Sequence, residues 1–154
     1  QASASTAVEG NYTHILWLDS DMVFPPETAM ILLSHGLPVV ACNYSTRSLP
    51  LKGVAYSDMY QWNSWKSLIS TDNRLVKADA VGMGCMLTAT SVYQGMALPW
   101  FDVVYKEDMG EFIGEDFFFC QKMRSKGYDV MIDTYLSRQI GHLGTMRFDI
   151  PASP

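Results

Sequence analysis

No apolar run in the 154-residue chain approaches the roughly 18 to 20 residues of a membrane-spanning helix, and Met30 to Leu33 is among the longest. The first ten residues carry neither a basic stretch nor an apolar one, so no secretory leader is legible in them; a chain opening on Gln1 reads as processed or cut. Cysteine is scarce. Cys42, Cys85 and Cys120 are odd in number, lack C-x-x-C spacing and sit in apolar surroundings. That pattern speaks against a disulfide framework and against a thiolate zinc site. The expectation is three reduced, buried thiols acting as small hydrophobes, hence a reducing compartment such as the cytoplasm. Basic charge is short as well: eleven Lys+Arg stand against sixteen Asp+Glu, a formal net charge of −5. Affinity built on neutralising nucleic-acid phosphates is not expected of such a chain, although a local basic groove remains compatible with it. Repeats, low-complexity tracts and a linker between compositional halves are also missing. What is present, 48% hydrophobic and 18% charged residues, suffices for one folded unit. The expected organisation is a single domain over 1–154, with its core at 12–144 and a tail at 145–154.

Thr13 to Leu18 is a short apolar run that ends abruptly in Asp19-Ser20-Asp21. With no polar face, it predicts a central parallel strand buried on both sides. Pro25-Pro26-Glu27 predicts a helix start, with His35 in the last turn and Gly36 as terminator. Leu37 to Cys42 predicts a second buried strand, completing a strand–helix–strand unit of the kind that builds parallel sheets. Residues 43–75 are polar and aromatic, including Tyr44, Arg47, Tyr56, Tyr60, Trp62 and Trp65, and read as a functional loop or an unresolved hairpin. Lys77 to Thr88 reads as one strand containing Gly82 and Gly84, and Ser91 to Met96 as a short helix. Phe101 to Tyr105 follows as a strand and Lys106 to Ile113 as a charged loop. Glu115 to Lys126 carries the strongest helix pattern: acids in its first turn, Lys122, Arg124 and Lys126 at its end, and Gly127 just beyond. Phe119, Cys120 and Met123 share its inward face. Tyr128 to Asp133 closes the sheet, and Ser137 to Pro154 reads as mostly irregular. The fold class is α/β, a mixed and mostly parallel sheet flanked by helices.

Few residues stand out chemically. Asp19 and Asp21, one residue apart at a strand end, project toward the crevice where α/β sheets bind ligands. Their hard oxygens suit Mg²⁺ or Mn²⁺ carrying a phosphorylated substrate, although a solvated turn produces the same dipeptide spacing. Glu115 and Asp116 stand on a helix N-terminus that stabilises carboxylates, and an ordinary first-turn acid would look alike. His142 lies between Gly141 and Gly144, which let backbone approach a ligand, yet most lone histidines are structural. Gly82-Met83-Gly84 lacks the setting of a dinucleotide fingerprint and reads as close backbone packing, beside a ligand or at a crowded crossing. Trp100 is either a sugar-stacking platform or a half-buried core aromatic.

Taken in order, WLDSDM, the Gly-containing strand, PWF, GEDFFFCQKMRSKGYDV and the following histidine resemble the catalytic half of a GT-A fold glycosyltransferase of the family 2 type. The resemblance runs from about Tyr12 to Gly144. It implies a nucleotide-diphosphate sugar as donor, a sugar transferred to an acceptor hydroxyl, and a divalent metal, Mn²⁺ or Mg²⁺. It assigns Asp21, Asp19 and His142 to the metal, with Asp19 alternatively on the ribose. It assigns Asp116 as the acceptor-side base of an inverting reaction, with Glu115, Trp100 and Phe101 lining the acceptor. Gly84 and, less directly, Arg47 fall to donor binding. Such domains begin with further β-α-β units, and only eighteen residues precede Asp19. The resemblance therefore implies an N-terminally shortened domain and a sheet edge to be covered by a second copy or a partner chain. The alternative is a non-catalytic sugar- or nucleotide-binding remnant, or one half of a larger assembly.

Overall fold

A computed structural model of the chain describes residues 1–57, 66–67, 73–107, 110–144 and 147–148. Tyr60, Trp62 and Trp65 of the aromatic region, and residues 149–154 of the tail, lie outside the described residues.

The protein is α/β, with a mixed sheet flanked by helices. The chain runs α1 (Ala2–Glu9), β1 (His14–Leu18), β2 (Met22–Val23), α2 (Thr28–Ser34), β3 (Val39–Ala41), β4 (Ala55–Ser57), β5 (Lys66–Ser67), β6 (Leu75–Ala78) and β7 (Ala80–Val81). It continues through β8 (Cys85–Ala89), α3 (Thr90–Gln94), β9 (Val104–Lys106), β10 (Glu111–Ile113), α4 (Glu115–Ser125), β11 (Val130–Asp133), α5 (Thr134–Ser137), β12 (Gly141–Leu143) and β13 (Arg147–Phe148). The principal sheet has the order β1-β8-β3-β11-β6.

Alternation along the strands divides the core in two. Val39 and Ala41 of β3, with Met86 of β8, face a layer containing Ala4, Val92, Tyr93, Phe119, Cys120 and Met123 from α1, α3 and α4. Val40, Cys85 and Leu87 face Leu32 of α2 and Leu136 of α5. All three cysteines are free and buried, as expected from their apolar contexts. No helix among the described residues is long and apolar enough to cross a membrane.

Several expectations are corrected. The sheet is mixed but its pairing is not mostly parallel: β3 and β11 pair in parallel, while the β1–β8, β8–β3 and β11–β6 pairings are antiparallel. β1 and β3 do run in the same direction, as a strand–helix–strand unit requires, but β8 is inserted between them. β1 is consequently an edge strand, half-buried along its length rather than central. Pro25 to Glu27 form a turn, the Thr28 N–H donating to the Pro25 carbonyl, and α2 starts at Thr28. The single strand expected over 77–88 is three strands, broken at Asp79 and again across Gly82–Gly84. Residues 106–113 are not a plain loop, because β9 and β10 pair as a hairpin. The segment after Ser137 contains β12, which pairs with both β2 and β13. α4 and its capping match expectation, Gly127 taking φ +86° beyond its end, where a side chain would be strained.

Candidate functional site

One end of the principal sheet gathers most of the singled-out residues. The ends of β1 and β3 and the start of β8 meet there, since Leu18 pairs with Cys85 and Ala41 with Met86. Asp19 and Asp21 follow β1, Tyr44 and Arg47 follow β3, and Gly84 precedes β8. β12 brings His142 in from the far end of the sequence, opposite Met22 and next to Asp21, and the Leu143 N–H donates to the Asp21 carbonyl at 2.7 Å. This is the position at which open α/β sheets hold ligands.

Asp21 and His142 face one another, Oδ2 to Nε2 at 3.4 Å. His142 Nδ1 lies 3.0 Å from the Ser45 carbonyl. A carbonyl can only accept, so Nδ1 carries the N–H there, and Nε2 is the ring nitrogen turned toward Asp21, the one a metal at this site would use. Arg47 Nη1 donates to the same Asp21 Oδ2 at 2.7 Å. Asp19 stands apart, its Oδ2 lying over Gly84 so that a Cβ added there would come within 2.9 Å. The three expected metal ligands therefore reduce to a pair, and among the described residues no group of three or more His, Cys, Asp or Glu side chains could hold a metal ion.

Asp116 enters from α4. Helix α4 lies against β7, with Cys120 Sγ 3.6 Å from the Val81 carbonyl and Phe117 edge-on to Tyr56. Its first turn thereby approaches the Gly82–Gly84 break. Burial raises the Asp116 carboxyl above the ordinary aspartate range, with the charges of Glu115 and Asp19 adding to the rise, against a 2.8 Å hydrogen bond from the Phe117 N–H. A carboxylate held near Asp19 with raised basicity has the character of a general base. Glu115 is exposed in the same turn.

The tertiary structure adds a residue that sequence reasoning passed over. Tyr44 is 5% exposed, accepts the Gly84 N–H at 2.9 Å and meets the His142 ring edge-on at 5.4 Å. Burial, reinforced by the charges of Asp19 and Asp116, holds its phenol well above the ordinary tyrosine range, so it stays neutral. A Cβ at either Gly82 or Gly84 would come within 2.6 Å of its hydroxyl. The two glycines were the available signal: something has to occupy the space they vacate, and it is this ring.

Trp100 is not part of the cluster. It is 8% exposed, donates its indole N–H to the Met96 carbonyl at 3.0 Å and packs edge-on to Tyr93, so it is a core aromatic rather than a sugar platform. Phe101 packs on Trp17 and Phe119 at centroid distances of 5.5 and 4.7 Å and stays partly exposed.

No protein-family model and no curated protein matches the chain. Among solved structures it is similar to A197 from STIV, with a TM-score of 0.63 and 15% identity. The match covers 99% of this chain and 74% of that one, so the chain spans about three quarters of A197. At that identity the likeness concerns the fold.

Proposed function

We propose that the protein is a metal-dependent glycosyltransferase of GT-A type, moving a sugar from a nucleotide-diphosphate donor to an acceptor hydroxyl with inversion. The observation that carries this reading is the convergence at one sheet end of the Asp21–His142 pair and, separately, a carboxylate of raised basicity on α4.

The donor set fits a divalent cation. Two ligand atoms each about 2.1 Å from one metal stand roughly 3 to 3.4 Å apart, and Asp21 Oδ2 and His142 Nε2 are 3.4 Å apart. A pair of protein ligands is a normal complement for Mg²⁺ or Mn²⁺ that also binds substrate phosphates. Bound there, the metal would supply Lewis-acid stabilisation of the departing diphosphate. Asp21 and His142 would hold it, with the Ser45 carbonyl fixing the His142 ring. Asp19, over the glycine break, faces the donor, and Gly84 makes room for the Tyr44 hydroxyl beside it. Asp116 takes the acceptor hydroxyl proton at its carboxylate, and Glu115 and the exposed part of Phe101 border the acceptor. Separate charge stabilisation and base functions are what displacement at an anomeric carbon requires.

Asp21→Asn and Asp116→Asn should each lower sugar transfer by about 10²-fold or more while leaving the fold intact. Full transfer by either folded variant refutes the reading. Thermal-shift screening of nucleotide sugars with and without Mn²⁺ identifies the donor, since a hundredfold excess over Kd stabilises by about 2.7 kcal/mol. A second reading, a binding remnant or one half of an assembly, draws on a different observation. Strand β1, which leads into Asp19 and Asp21, pairs with β8 alone among the described residues, which leaves an edge for a second copy or a partner chain. It predicts Mn²⁺ or nucleotide binding without turnover, and a complex on a native gel.

A further inference from the structure

The geometry points to Arg47 as an exchangeable counter-charge: it neutralises Asp21 in the ligand-free chain and transfers to the donor diphosphate when a divalent cation takes its place. This inference rests on the metal-dependent reading above and assigns that site a built-in coupling between its two ligands.

Asp21 Oδ2 is a shared atom. It receives the Arg47 guanidinium at 2.7 Å and faces His142 Nε2 at 3.4 Å. A cation held between His142 Nε2 and the Asp21 Oδ2 that faces it would take the oxygen Arg47 holds and would repel the guanidinium at contact distance. Arg47 is well placed to leave. Its side chain is 53% exposed, and among the described residues its polar contact is with Asp21. The backbone of its loop is secured without it, by the Thr46 N–H on the Lys52 carbonyl at 2.8 Å and by the Ser45–Gly53 bridge. Release therefore costs rotamer changes rather than unfolding. A guanidinium freed beside a metal site has a planar fork of donors suited to paired phosphate oxygens. Lysine would offer only a point charge.

Two effects of opposite sign follow. Arg47 weakens binding of the metal alone, because the metal must displace it. Arg47 strengthens diphosphate binding once the metal is in place. By linkage, the same residue makes each ligand favour the other.

The test is Arg47→Met in the full chain, which keeps an unbranched apolar stem and removes the charge, with Arg47→Lys and Arg47→Gln as companions. Calorimetric titration with Mn²⁺ alone should show tighter binding by Arg47→Met, about two- to fivefold, the range of an exposed ion pair. With Mn²⁺ saturating, UDP and GDP as probes should bind about tenfold more weakly to Arg47→Met. Arg47→Lys should retain the competition against Mn²⁺ and recover only part of the diphosphate affinity. Mn²⁺ affinity unchanged or lowered in Arg47→Met and Arg47→Gln overturns the exchange while leaving the metal site standing. UDP and GDP binding that is undiminished, or absent in the parent protein too, overturns the diphosphate half. Absence of Mn²⁺ binding in both parent and variants overturns this inference and the metal-dependent reading together.

Discussion

Among the described residues, Asp133 and Asp21 each sit between an arginine and a histidine, and they differ in what is left over. Asp133, at the end of β11, is 0% exposed. Its Oδ1 accepts the N–H groups of Tyr135 and Leu136, capping α5, at 3.0 and 2.8 Å. Its Oδ2 lies 2.8 Å from His35 Nε2 and 3.5 Å from Arg74. Both oxygens are committed, so the cluster is closed. Asp21 has a side chain 32% exposed, places both its arginine and its histidine on Oδ2, and has an uncommitted Oδ1 among the described residues. The residue types are the same. The difference is saturation: a carboxylate with every lone pair occupied by the protein is structural, and one with capacity to spare toward solvent can take a ligand.

Asp133→Ala tests the closed cluster most severely. Removing a fully buried carboxylate strands two backbone donors and the nearly buried His35, and should cost about 3 to 5 kcal/mol by urea unfolding. Asp21→Ala, by contrast, should cost no more than about 1 kcal/mol, because it removes an exposed ion pair, yet it should abolish Mn²⁺ binding. Equal losses of stability from the two would show that the open cluster is structural as well.

Between these extremes lies Gly84→Ala. The new Cβ would meet the Tyr44 hydroxyl at 2.6 Å and Asp19 Oδ2 at 2.9 Å, so overpacking of about 1 to 3 kcal/mol is expected. Adding Tyr44→Ala should leave the double mutant less destabilised than the two single losses summed. Simple additivity would mean that the ring and the glycine break are not in contact.

The smallest expected effect concerns Asp116. Its folded-state carboxyl is raised, chiefly by burial, so the fold binds this proton more tightly than the unfolded chain does. The stability this group contributes is present below the unfolded aspartate value and is lost as pH rises through the higher folded value. At neutral pH the charged Asp116 therefore opposes folding, and Asp116→Asn should raise Tm by about 1 to 3 °C, an advantage that vanishes in acid. In the parent protein, the acid limb of kcat/KM should lie above the ordinary aspartate range. A Tm that falls at neutral pH in Asp116→Asn contradicts this account.

Much of the fold was legible because its cues are local. β1, β3 and β11 appear as short apolar runs, and α4 as acids, bases and a terminal glycine around an inward face. The residues destined for the sheet end were legible in the same way, since acids directly after an apolar run mark a strand end. Three features escaped for reasons of distance along the chain. The break across Gly82–Gly84 reflects a tyrosine contributed from beyond β3, and the inserted position of β8 depends on pairings with two separate strands. Trp100 reads the same in sequence whether it stacks on a sugar or fills a core; the Met96 carbonyl, which satisfies its indole, decides for the core.

That Asp19 and Asp21 close a strand and that Asp116 stands on a helix N-terminus follows from the local sequence, because strand ends and helix caps are set by neighbouring residues. Which histidine joins which aspartate depends on long-range packing. His35 reaches Asp133 and His142 reaches Asp21 through sheet pairings between distant segments. Those pairings also set burial, and burial decides whether a carboxylate is saturated by its own protein or left open to a ligand.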